Sequence, residues 1–362
     1  MNITLIAGAR PNFMKIAPII DAIRIAKSDG KKICYRLVHT GQHYDKNMSE
    51  SFFEQLGIPK PDVNLESGGG TQAEQTANIM IRFEKELIDN PADLVLVVGD
   101  VTSTMACSIV AKKLCTKVAH VEAGIRSGDM SMPEEINRIV TDSITDYFFT
   151  TTQFANEQLK KIGVEDSRIF LVGNTMIDTL LKMESNFRKP TIWDNAGLSK
   201  NEYFVLTLHR PSNVDQELEL RKLMFEIVRA SRSLPIIFPV HPRTSKILES
   251  IGLSADNLFM IEPLSYLEFN YLVKYAKAVI TDSGGITEET TVMGVPCITL
   301  RNNTERPETV TIGTNELIGT NPERVLPTLN KVFAGEWKNG GIPDFWDGHA
   351  ARRIVNNLLN MS

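Results

Sequence analysis

The sequence predicts an α/β protein of two doubly wound domains, each a parallel sheet covered by helices. Three observations lead there. Short unbroken apolar runs, of the kind that strands buried on both faces show, alternate with amphipathic stretches of helical period. The alternation lapses over residues 187–201 and then restarts. With 362 residues, the chain exceeds what a single core comfortably serves. The expected division is a first domain over 1–186, a linker over 187–201, a second domain over 202–345, and a last helix over 346–362.

In chain order, ITLIA (3–7) is the first strand and Gly8-Ala9-Arg10-Pro11 the turn into a helix running to about Lys27. Pro11 suits a helix start, where its missing N–H would be unpaired anyway. Arg10 and Lys15 flank that positive end and suit a phosphate, although Lys15 reads equally as a solvated lysine. The turn is not GxGxxG, so the dinucleotide fingerprint is absent. Strand two, 33–39, runs into Gln42-His43; a strand-to-loop setting does not put His39 and His43 on one helical face, and no metal site is expected. A helix over 48–57, a short strand near 62–66, Gly68-Gly69-Gly70 and a helix over 71–89 follow.

The central stretch is 93–138. Its buried runs, 94–98 and 117–121, stop at Gly99-Asp100 and at Glu122, and Pro133-Glu134-Glu135 opens the next helix. Asp100, Glu122 and Glu134 therefore sit past strand ends or at a helix start, the edge where parallel sheets bind ligands. Acids at helix starts also serve as caps or dipole partners, a reading open for Asp100 and Glu134. It fits Glu122 poorly, because no helix begins directly after it. Crowded carboxylates raise one another's pKa, so one holds a proton while another accepts one.

After 187–201, the strands 203–211, 235–243, 258–263, 278–285 and 295–301 carry His209-Arg210, His241-Pro242-Arg243 and Asp282-Ser283-Gly284-Gly285 at their ends. Gly284 and Gly285 let backbone N–H groups approach an anion at a helix start, with Ser283 adding a hydroxyl. Glu289, one turn on, suits a cis-diol such as a ribose; a plain glycine turn with a solvated Glu-Glu pair is the alternative. Arg306, in Glu305-Arg306-Pro307-Glu308, can face the same anion, and His209 adds a donor or stays structural.

A net charge of −5 gives nucleic-acid binding no support, and no apolar run approaches a membrane span. The four cysteines lack CxxC spacing and read as small core residues in a reducing compartment. With no leader pattern at the start, a cytoplasmic protein is expected.

GARPNFMKIAP, TGQHYD, VVGDVTST, HVEAGIRSGD, MPEEINR, VGNTMID, LHR, FPVH, TDSGGITEE and RNNTERPE occur in this order. On these motifs the chain resembles the non-hydrolysing UDP-N-acetylglucosamine 2-epimerases over essentially its full length. The resemblance implies two Rossmann-like domains of the GT-B type facing a cleft, a last helix that returns to the first domain, and a homodimer. It implies no cofactor and no metal. It implies UDP-N-acetylglucosamine to UDP-N-acetylmannosamine conversion for surface polysaccharide supply, by elimination and re-addition of UDP through a 2-acetamidoglucal.

Asp100, Glu122, Glu134 and His209 are then the catalytic set. Arg10, Lys15, Phe269, Ser283, Gly284, Gly285, Glu289 and Arg306 are then the residues that bind substrate. TGQHYDKNMS and the glycines at 68–70 also look like the branch acting on UDP-2,3-diacetamido-glucuronate. A GT-B glycosyltransferase or a UDP-sugar hydrolase would use the same nucleotide site. In relatives Gln42 and His43 serve a second UDP-sugar site together with a basic residue, which the loop 66–72 lacks here.

Overall fold

The computed structural model describes residues 1–41, 53, 57–210, 213, 216–240, 245, 247–248, 252 and 255–361. Most of the helix expected over 48–57, together with Gln42, His43 and His241-Pro242-Arg243, lies outside them. The chain forms two compact units, Met1–Lys182 with Asp344–Ser362, and Met183–Pro343.

The first unit follows the order β1 (Asn2–Ala7), α1 (Arg10–Ser28), β2 (Cys34–His39), β3 (Val63–Asn64), α2 (Gln72–Asp89), β4 (Leu94–Val98), α3 (Thr102–Lys113), β5 (Lys117–Val121), α4 (Pro133–Ile144), β6 (Tyr147–Thr150), α5 (Gln153–Lys161), β7 (Ile169–Leu171) and α6 (Thr175–Met183). Its strands line up β3-β2-β1-β4-β5-β6-β7, all parallel. The strand order reverses between β1 and β4, so the turns after these two strands flank the switch point where such sheets take ligands. Every residue of β4 is buried, as a central strand covered by helices on both faces requires.

The second unit follows α7 (Ile192–Asn195), β8 (Phe204–Thr207), α8 (Glu217–Ala230), β9 (Ile236–Pro239), β10 (Leu258–Ile261), α9 (Tyr266–Tyr275), β11 (Ala278–Thr281), α10 (Gly284–Met293), β12 (Cys297–Thr299), α11 (Pro307–Thr311), β13 (Asn315–Leu317) and α12 (Val325–Ala334). The sheet runs β10-β9-β8-β11-β12-β13, again parallel, with its reversal between β8 and β11. His209 and Asp282 leave these two neighbouring strands, whose last residues, Thr207 and Thr281, are paired in register.

Two expectations need correction. Residues 187–201 are not a bare linker: they belong to the second unit and pack into its core. The Trp193 ring stands edge-on to Tyr203, Tyr271 and Tyr275, at 5.6, 5.4 and 6.2 Å between centroids, and Leu198 is buried beside them. Aromatic burial here proceeds without any long periodic element, which is why the pattern lapses. The cysteines are also not uniformly core residues, because Cys34 and Cys115 are exposed while Cys107 and Cys297 are buried. Cys34 opens β2, and Cys115 sits in the left-handed turn after α3.

The C-terminal segment returns to the first unit. Trp346 is buried with its indole N–H donating to Thr151 O at 3.1 Å. Asp178 Oδ1 and Oδ2 accept from the N–H groups of Ala350 and Ala351 at 3.0 and 2.7 Å. These cap the first turn of α13 (Ala350–Asn360), whose apolar face covers α1.

Candidate active site

At the first sheet's switch point, Asn12 ties the turn after β1 to the end of β4. Its Oδ1 accepts from Gly8 N and Ala9 N at 3.1 and 2.9 Å, and its Nδ2 donates to Val98 O at 3.1 Å. This holds the start of α1 in place, so that Arg10 stands exposed on its first turn while Lys15, one turn on, points inward and is buried.

Lys15 Nζ lies 2.7 Å from Glu122 Oε2, with the two side chains only 9% and 2% exposed. Glu122 adopts φ +69°, the left-handed region that a non-glycine residue enters at a cost. Both Glu122 N and Ala123 N donate to Phe149 O, at 3.0 and 3.2 Å, which pins the strained turn. A methyl group on Gly99 would sit 2.9 Å from Lys15 Nζ, and Gly99 itself has φ +66°, so glycine is required for the ammonium to reach Glu122.

Asp100 is a quarter exposed and pairs with Arg138 Nη2, while Arg138 Nη1 reaches Glu135 Oε2 at 2.9 Å. Its backbone carbonyl takes a 2.8 Å hydrogen bond from Asn137 Nδ2. Glu135 is buried and accepts from Ser127 N, Ser127 Oγ and Gly128 N at 2.9, 3.0 and 3.1 Å, so it shapes the loop before α4. Glu134, its neighbour, is exposed on the first turn of α4. Beneath both acids lies a buried network. His120 Nδ1 is 2.7 Å from Asp142 Oδ1, and His120 Nε2 is 2.8 Å from Gly99 O. Asp142 Oδ2 takes Gly124 N at 3.1 Å and Arg126 Nη1 at 2.6 Å. The strand ends that carry Asp100 and Glu122 are therefore cross-braced.

In the second unit, Ser283 is the N-cap of α10, its hydroxyl making no cap hydrogen bond, and Gly284 and Gly285 form the first turn. Around this helix start Arg301 pairs with Glu305 at 2.7 Å and Arg306 Nε with Glu288 Oε1 at 2.5 Å. Arg210 Nη2 stands 3.9 Å from Glu305 Oε1. Burial opposes the charge on Glu305, but Arg301 and Arg306 outweigh it and lower its pKa to about 2. A helix N-terminus backed by arginines is a place where an anion can bind. Arg306 is thus part of a buried ion-pair cluster, not an isolated cation.

Glu288 and Glu289 are both buried, which removes the solvated-pair alternative. The Tyr266 hydroxyl donates to Glu289 Oε1 at 2.8 Å, and burial pushes the Glu289 carboxyl up to about 7. Phe269, half-buried, lies on the same helix as Tyr266. His209 is exposed, with Nδ1 2.6 Å from Asp282 Oδ1.

The raised Glu289 value has a measurable consequence. A carboxyl whose folded pKa exceeds its unfolded one stabilises the fold fully below the unfolded value and loses that contribution as pH rises through the folded one. Without ligand, stability should therefore fall by about 1 kcal/mol between pH 6 and pH 8 from this group alone. Denaturation of wild type and Glu289→Gln at both pH values checks this; identical pH slopes in the two proteins would refute it.

Residue-type reasoning missed Asn12, Arg138, Arg301 and Asp282. Asp282 stands at a strand end in TDSGG and Arg301 opens RNNTERPE, but the partners of Asp282 follow another strand, and Glu305 pairs with Arg301 from the same loop. Among the described residues no group of His, Cys, Asp or Glu forms a metal-binding cluster, and no helix is long and apolar enough to cross a membrane.

Two Rossmann-like sheets, one with braced acids and the other with an arginine-backed helix start at its switch point, define an α/β protein of the doubly wound class. Residues 26–359 match the family model for UDP-N-acetylglucosamine 2-epimerase. The chain is 42% identical over 371 residues to UDP-N-acetylglucosamine 2-epimerase of Methanocaldococcus jannaschii, covering 99% of both chains. It is 37% identical to UDP-2,3-diacetamido-2,3-dideoxy-D-glucuronate 2-epimerase of Pseudomonas aeruginosa, over 100% of both. A crystal structure of the M. jannaschii enzyme in complex with UDP-GlcNAc and UDP superposes with a TM-score of 0.87 at 41% identity, covering 99% of this chain and 100% of that one. The chain belongs to the UDP-N-acetylglucosamine 2-epimerase family, a family of isomerases.

Proposed function

We propose that this protein inverts C2 of a UDP-N-acetylhexosamine, interconverting UDP-N-acetylglucosamine and UDP-N-acetylmannosamine. The full-length match to the M. jannaschii enzyme carries the reading. The braced carboxylates support the chemistry.

The C2 hydrogen has no adjacent carbonyl, so direct removal is too costly; elimination avoids a free carbanion. A carboxylate takes the C2 proton, the C2 electrons form the C1=C2 bond, and the C1–O bond breaks with its pair going to the β-phosphate oxygen of UDP. A carboxylic acid then returns a proton to the opposite face of C2, and UDP re-adds at C1. Asp100, Glu122 and Glu134 are the acid and base candidates. Ser283, Gly284, Gly285, Arg10, Lys15, Arg306 and His209 offset charge on the substrate and the leaving diphosphate. Phe269 and Glu289 hold the uridine through ring contact and the ribose diol.

Turnover in D2O is expected to place deuterium at C2 of the product, with slow variants releasing UDP and the glucal. Product that keeps its original C2 hydrogen would rule out elimination. The P. aeruginosa relative supports a second substrate, the diacetamido-glucuronate sugar; turnover of that compound in preference to UDP-N-acetylglucosamine would establish it. A cytoplasmic homodimer supplying surface-polysaccharide precursors completes the proposal. Ile81 and Ile88 on α2, 67% and 59% exposed, support the dimer as surface that a partner would cover, and a monomeric mass in solution would remove that element.

A further inference from the structure

Asp282 is a buried charged group outside the catalytic and substrate-binding sets named above. It follows β11 directly, is fully buried, and precedes the N-cap of α10. Its carboxylate gathers the chain leaving the neighbouring strand β8. Oδ1 lies 2.6 Å from His209 Nδ1, and Oδ2 accepts from His209 N, Arg210 N and Asn213 Nδ2 at 3.1, 3.0 and 3.0 Å. The Asp282 carbonyl accepts from Arg210 Nε at 3.2 Å. Burial opposes ionisation of this carboxyl, yet the hydrogen bonds from His209, Arg210 and Asn213 outweigh it and hold its pKa below the ordinary value.

The rest of the His209 ring is open: its side chain is 62% exposed, although Nδ1 is engaged. A carboxylate at Nδ1 takes an N–H from that nitrogen, and this decides what the other nitrogen presents. The neutral ring offers a lone pair at Nε2. The imidazolium offers an N–H there, and the same carboxylate stabilises its charge. A buried carboxylate that orients a histidine in this way acts on chemistry it never touches.

We propose that Asp282 is the positioning residue for His209, fixing the proton on Nδ1 and aiming Nε2 at the diphosphate of the bound nucleotide sugar. This rests on the reading above, in which His209 serves the UDP leaving group. As the C1–O bond breaks and its electron pair passes to the β-phosphate oxygen, the imidazolium Nε2–H donates a hydrogen bond to that oxygen; the proton need not transfer.

The test combines 15N spectroscopy of histidine-labelled full-length protein with kinetics. His209→Gln assigns the His209 resonances among the six histidines. In the wild type with UDP bound, His209 is expected to carry protons on both nitrogens, Nδ1 toward Asp282 and Nε2 toward the diphosphate. A neutral ring in that complex, whichever nitrogen holds the proton, overturns the proposal without any variant of Asp282. In Asp282→Asn the amide N–H faces Nδ1, so the proton should move to Nε2. Turnover (kcat) should fall at least about tenfold, in the range of lost acid–base positioning, with UDP affinity within about threefold of wild type. The double variant with His209→Gln should be no slower than His209→Gln alone. Losses that multiply in the double variant, or Asp282→Asn with wild-type kcat while His209→Gln is crippled, overturn the positioning role. Wild-type kcat in His209→Gln instead overturns the function assigned to His209, so the two failures are separable.

Discussion

Glu122→Gln is expected to lower kcat by at least about a hundredfold, the scale of a lost general acid or base, with little change in affinity for UDP. The carboxylate is nearly sealed from solvent, held in a left-handed turn, and paired at 2.7 Å with Lys15. Glutamine keeps the shape and removes the charge, so nothing at that position can take or return a proton. It also leaves a buried ammonium uncompensated, and breaking a buried pair from one side costs on the order of 3–5 kcal/mol. The variant should thus be both slow and less stable, and adding Lys15→Met should restore part of the stability and none of the rate. Asp100→Asn should lose rate on the same scale with a smaller stability penalty, because Asp100 is a quarter exposed. Steady-state kinetics with calorimetric UDP titration checks both. Variants that lose UDP binding but keep turnover in the bound fraction would reverse the assignment.

Gly173→Ala is expected to destabilise the first unit by about 3 kcal/mol, combining strain at an unfavourable backbone angle with overpacking. Gly173 has φ +94°, and an added Cβ would lie 2.0 Å from Phe345 O and 2.8 Å from Phe345 C. The obstruction is backbone, which cannot swing aside as a side-chain tip can. Phe345 itself is left-handed at φ +64°, and the next residue, Trp346, is buried. Relief therefore requires the return segment to lift from the sheet edge, which would pull on the Asp178 cap of α13. Chemical denaturation and protease sensitivity near residue 345 report the change; a loss under 1 kcal/mol would show that the crossing adjusts freely.

Much of the frame was legible because buried parallel strands are written as unbroken apolar runs. The runs at 3–7, 94–98 and 117–121 put Arg10, Asp100 and Glu122 just past strand ends. Illegible were segments whose burial has no period. Trp193 packs through one short helix and three aromatic neighbours, so its stretch read as a linker. Cys34 and Cys115 misled for the converse reason, since a residue type that favours cores stands here at the exposed start of a strand and in a turn.

By itself, then, the amino-acid order determined the alternation of strands and helices, the ends at which functional side chains emerge, and the motif set that marks the family. Those features are local, set by the periodicity and turn chemistry of short stretches. Only the tertiary structure decided the partners: Lys15 for Glu122 across 107 positions, Arg138 for Asp100 across 38, and Asp282 for His209 across 73. Parallel sheets bring such residues together through crossovers whose strand order no local pattern encodes. A charge's role depends on which opposite charge shares its buried surroundings, because away from water an ion pair at 2.7 Å is only weakly screened.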